Sequence, residues 1–78
     1  MIPGAALLIR KQRAVREMQF ELAEWARREE RLLMKKPLDE GQKEKDDWMR
    51  ALLRIDDTKQ RIQKEIEQYE MEIKLLEM

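Results

Sequence analysis

The chain contains no cysteine and no histidine. A disulfide framework is therefore excluded, and a small secreted scaffold stapled by disulfides is not expected. Structural zinc, haem and iron–sulfur sites lose their usual ligands. Serine is also missing and Thr58 is the lone threonine, so a nucleophile paired with a base has almost nothing to be built from. Carboxylates are plentiful, as in Glu29–Glu30, Asp46–Asp47 and Asp56–Asp57, but neighbours on a helix point about 100° apart and do not converge on one reacting atom. No glycine-rich phosphate loop is present, and a di-iron bundle site would need Glu-x-x-His pairs. The expectation is a protein without catalytic residues, cofactor or metal. Long apolar runs are lacking too. The longest, Ala5-Ala6-Leu7-Leu8-Ile9, falls far short of the ~20 residues that span a bilayer.

Glycine and proline number two each, and their placement divides the chain. Pro3 and Gly4 mark the start of a first helix, and Pro37 restricts Lys36, so that helix should stop near Lys36. Asp39 can cap a second helix, with Gln42 three residues on as in a capping box. The expected fold is all-α: one two-helix antiparallel hairpin over residues 1–78, coiled-coil-like, with helices at about 4–36 and 40–77 and the bend at 37–41. Charged residues make up 44% of the 78 residues, the composition of long helices and coiled coils rather than of a compact globule.

Both segments carry a three–four alternation. In the second it runs Lys45, Trp48, Leu52, Ile55, Lys59, Ile62, Ile66, Tyr69, Ile73 and Leu76, a heptad seam of more than four repeats. In the first it runs Leu8, Lys11, Val15, Met18, Leu22, Trp25, Glu29 and Leu32. Two seams joined by a short connection should face each other antiparallel. Charge agrees: residues 1–36 hold nine bases and five acids, residues 37–78 eight bases and twelve acids, so a parallel pairing of two such chains sets like charges together. Two registers fit, with facing residue numbers summing to 84 or to 77. The first uses the whole of both seams. It lays Trp25 over the stem of Lys59 and Trp48 near Lys36. Pairs at i, i+4 should brace the helices: Glu24–Arg28, Asp46–Arg50, Asp57–Arg61 and Glu70–Lys74.

A hairpin shares one narrow seam rather than a three-dimensional core. Ordering a chain of this length costs on the order of 100 kcal/mol in conformational entropy, and a seam interrupted by Lys11, Glu29 and Lys59 offsets that poorly. A third surface is therefore expected. Large apolar residues off the seam supply candidates: Phe20, Leu33, Met34, Met49, Leu53, Met71 and Leu75, with Leu7, Ile9 and Met78 beside them. Met71, Leu75 and Met78 form a stripe, Met49 and Leu53 another. Methionine adapts to irregular partners, and an outward aromatic such as Phe20, between Arg13 and Arg27 on its face, suits an interface anchor. The plainer reading is that single exposed apolar residues are ordinary.

The functional expectation is an intracellular, non-enzymatic interaction protein, an accessory, assembly or structural subunit of a larger protein complex. The alternative is a small self-associating regulator, two hairpins forming a four-helix bundle, in contact with nucleic acid. For that contact Arg10, Lys11, Arg13 and Arg16 form a compact basic cluster able to track phosphates. Zero net charge and the placement of Trp25, Trp48 and Tyr69 on the seam speak against it, because stacking platforms are then missing. The same acid-free basic segment suits a mitochondrial presequence, and the apolar residues before it suit a membrane surface. An ordinary basic helix, or a helix end set in a protein groove, is the preferred reading of it.

Overall fold

The computed structural model describes residues 4–37 and 41–78. They form two helices, α1 (Ala5–Met34) and α2 (Gln42–Glu77), of 30 and 36 residues. The helices pack antiparallel in a rod of 63 × 15 × 13 Å. Chain direction reverses between them, and no strand occurs among the described residues.

The helix ends have local causes. Gly4 caps α1 with φ of 93°, a left-handed conformation that glycine adopts without Cβ strain, and its carbonyl accepts the Leu8 N–H at 2.8 Å. α1 stops at Met34, two residues short of the expected Lys36. The Leu32 carbonyl, which would have held Lys36 in the helix, instead accepts the Lys35 N–H at 3.1 Å and the Trp48 indole N–H at 2.8 Å. The last turn tightens and Pro37 forbids its continuation. α2 begins at Gln42, not residue 40, because the cap falls on Gly41, whose carbonyl accepts the Glu44 N–H at 3.1 Å without any side-chain cap. Asp39, expected as that cap, lies outside the described residues. Gln42 donates forward to Asp46 at 3.0 Å, and the expected capping box with Asp39 likewise lies outside the described residues.

The seam is where the alternation places it. Val15, Ile55, Ile62 and Ile66 are buried, and Met18, Leu22, Trp25, Tyr69 and Ile73 pack against the cluster of Val15, Ile62 and Ile66. Each buried aliphatic side chain contributes about 1.5–3 kcal/mol, so the centre of the rod holds most of its cohesion. Three of the four charges in the seam, Lys11, Glu29 and Lys59, are matched. Lys11 pairs with Glu72 and lies 5.2 Å from the Tyr69 ring centroid, and Lys59 meets Glu29 at 3.1 Å. These half-exposed pairs are worth about 1 kcal/mol or less, yet they fix orientation, since they exist only when the helices run antiparallel.

Pairs in direct contact across the seam, Lys11–Glu72, Lys11–Tyr69, Leu32–Trp48 and Glu29–Lys59, have residue numbers summing to between 80 and 88. This lies nearer the 84 register than the 77 register. Both seam ends are open. Lys45 is exposed because its level in α1 falls beyond Met34, and Leu76 is exposed because it stands against Gly4, which has no side chain to cover it.

Some side-chain partners differ from expectation. The cation over Trp25 is Arg28 of its own helix, 4.5 Å from the ring centroid, not Lys59. That stacking takes Arg28 from Glu24. None of the four expected i, i+4 ion pairs closes among the described residues. At exposed positions the gain from such a pair barely exceeds its side-chain entropy. Amide–carboxylate contacts take the same spacing instead: Gln60 donates to Asp56 at 2.9 Å and Gln63 to Glu67 at 3.5 Å. Trp48 does lie beside Lys36, the two lining one cleft with Pro37.

Candidate protein-docking surfaces

With the seam at heptad positions a and d, reversing one helix sets e beside e and g beside g. The rod therefore has two unlike flanks. One is built from the e and b positions of both helices, the other from g and c.

On the e/b flank the e positions along the body of the rod are exposed: Gln12, Gln19, Ala26 and Leu33 on α1, and Met49, Asp56, Gln63 and Glu70 on α2. On the g/c flank Ala14, Ala51, Thr58 and Glu72 are half-buried. The difference follows from the seam. Lys11 and Tyr69 line a cleft with Glu65 and Glu72, and Trp25 lines one with Ala51 and Thr58, so these d residues meet g residues of α2 on that side.

Three of the expected interface residues come together on the e/b flank at the bend. Leu33 stands level with Met49, and Leu53 is one turn along α2; their exposures are 50%, 55% and 60%. Below them the flank continues through Ala26, Ala23, Gln60, Gln63 and Gln19. From Gln19 to Leu33 on α1 and from Met49 to Gln63 on α2 its only charges are Glu30 and Asp56. This platform is about 21 Å long.

The other expected residues are dispersed. Met34 lies around the corner on the outer face of α1, 86% exposed. Phe20 is on the same outer face, about 21 Å from Met34, and 66% exposed, so neighbouring long side chains do not cover it. Met71 and Leu75 sit near the far end of α2, roughly 33 Å from Met49. There they join Leu7, Ile9, Leu76 and Met78 in an exposed apolar tip. The tip was only partly visible in sequence, because Leu76 continues the seam pattern and nothing in that pattern says its partner is a glycine.

The basic cluster is divided by the fold. Lys11 turns inward to Glu72 and Tyr69, while Arg10, Arg13 and Arg16 remain exposed and fan over about 120° of the outer face of α1. None of the three lies over an aromatic ring.

No helix is long and apolar enough to cross a membrane among the described residues. Nor do three or more Asp or Glu side chains gather there in a position to hold a metal ion. Comparison with protein-family models, curated proteins and solved structures gave no match to this chain.

Proposed function

We propose that this protein is a non-enzymatic helical-hairpin module, an accessory or assembly subunit that docks onto another intracellular protein through its e/b flank. One observation carries the reading. The hairpin leaves one flank open along the body of the rod, and that flank presents Leu33, Met49 and Leu53 beside a stretch with two acids and no base. Exposed apolar side chains set together, flanked by small and amide side chains, form a surface that a partner helix can cover. The charge balance suits a neutral or basic amphipathic helix with apolar residues at three–four spacing.

The supporting argument is energetic. Among the described residues four side chains are buried and none completely, so the hairpin gains stability from any surface that covers the flank. Phe20 and Met34, on the outer face of α1, extend the contact for a partner that wraps around it.

The test is recovery of the tagged chain from its source, wild type beside Leu53→Asp and Leu33→Asp. The expected result is one protein recovered in fixed ratio with the wild type and lost with both variants, while circular dichroism shows unchanged helix content. Equal recovery with all three chains contradicts the reading.

A further inference from the structure

The g/c flank carries a charge pattern of which the hairpin itself uses only Arg28, stacked on Trp25. On α1 the flank reads Glu17, Glu21, Glu24, Arg28, Arg31, Lys35: three acids, then three bases, at spacings of four and three along one face. None of the six is in an ion pair with another described residue. The helix dipole accounts for only the C-terminal part of the order, since Arg31 lies in the last turn and Lys35 at the C-cap of α1. The first turn of α1 holds no acid, and the segment before Glu17 is the basic run from Arg10 to Arg16, where acids would be favoured. α2 neutralises the stripe only in part, with Arg61 level with Glu21 and Asp47 level with Lys35. At the hairpin's register Glu65 stands level with Glu17, and Arg54 with Arg28, so like charges lie side by side there.

The stripe is antisymmetric about residue 26. Turned end for end, Glu17 falls on the place of Lys35, Glu21 on Arg31 and Glu24 on Arg28. A groove of about 500 Å3 sits at the same level, lined chiefly by Trp25, Ala51, Arg54, Ile55, Thr58 and Arg61. Its α2 residues centre on position 56, which is level with residue 26 of α1. A two-fold axis through that groove would bring two Trp25 side chains together at the centre. It would also match all six charges of each α1 stripe, while in the α2 half Asp47 would face Glu65 of the second copy.

We infer that the g/c flank is a self-association surface, on which a second copy of this chain packs antiparallel, α1 on α1 and α2 on α2, to make a four-helix bundle. An isologous contact requires such a self-complementary patch. The e/b flank lacks this property: its acids outnumber its bases at both ends, so two copies facing through it would repel. The dimer leaves both e/b flanks outward, giving two docking surfaces per assembly. The inference does not depend on the docking reading.

Sedimentation of the full chain at low salt tests it with three variants. E17K/E21K/E24K makes the stripe wholly basic, and R28E/R31E/K35E makes it wholly acidic. The six-fold exchange reverses it. The wild type is expected to dimerise, more weakly as salt rises. Each uniform variant should self-associate about 100-fold more weakly or worse, and the two should pair on mixing. The reversed stripe should dimerise with itself and not with the wild type, which controls for loss of folding in the uniform variants. A wild type that stays monomeric overturns the inference and leaves the flank to a different partner. Uniform variants that associate like the wild type, or a reversed stripe that stays monomeric, overturn it equally.

Discussion

The two flanks of this rod are cut from the same helices and separated by the same seam, yet they differ in kind. The e/b flank is open, poor in charge at its centre and apolar at the bend. The g/c flank is partly closed by Trp25 and Tyr69 and bears acids and bases in sequence-ordered belts. A surface built from apolar and amide groups gains by being covered and is tolerant of what covers it. One built from ordered charge gains orientation and rejects wrong pairings. The comparison teaches that a coiled-coil seam decides only which residues are inside. What each outer face can hold is written in the other five heptad positions.

Breaking the seam should erase the distinction altogether. Ile66→Asp places a carboxylate at the most buried position, 3% exposed, a change expected to destabilise by about 3–5 kcal/mol. Helix content by circular dichroism should collapse, and with it both association and docking. Retention of the wild-type spectrum would show that the helices do not depend on one another. A smaller change separates the flanks. Glu21→Lys should weaken self-association and spare partner recovery, whereas Leu53→Asp should abolish partner recovery and leave sedimentation unchanged. If either variant impaired both, the flanks would be one surface.

The matched seam charges sharpen the comparison further. Replacing Lys59 and Glu29 together by Leu should raise the melting temperature, since a half-buried pair is often worth less than good apolar packing. It should also blur register, seen as doubled resonances in amide NMR spectra. Smallest of the four effects is Trp48→Phe. It removes the 2.8 Å bond to the Leu32 carbonyl at about 1 kcal/mol. The change should loosen the last turn of α1, read as faster hydrogen exchange near Leu32 with the seam unaffected.

Much of this architecture is legible in sequence, for physical reasons. Burial at three–four spacing is imposed by helix geometry, so Val15, Ile55, Ile62 and Ile66 could be placed without coordinates. Pro37 fixes the turn because it constrains its neighbour wherever it stands. The exact ends are less accessible: α1 stops early because a tryptophan from the other helix reaches the Leu32 carbonyl, and no local propensity encodes that. The choice of Arg28 over Lys59 as the cation at Trp25 is likewise a competition among long side chains of similar energy. The expected surface residues were chosen by being apolar and off the seam. That criterion finds Leu33, Met49 and Leu53 but not that they share one flank. It finds Phe20 and Met71 as well, which the fold sets apart. The charge stripe from Glu17 to Lys35 needs only the heptad letters, and becomes visible once the flank they share is known.

The account rests on a hairpin that buries a single seam and gains its remaining stability from contact with a second copy. Thermal unfolding followed by circular dichroism, with protein concentration varied about a thousandfold at low salt, tests this most directly, because only an associating species has a concentration-dependent midpoint. The midpoint should rise steadily with concentration, and the rise should vanish in E17K/E21K/E24K. A sharp transition at the same temperature throughout would show a hairpin that stands alone, and would contradict the account.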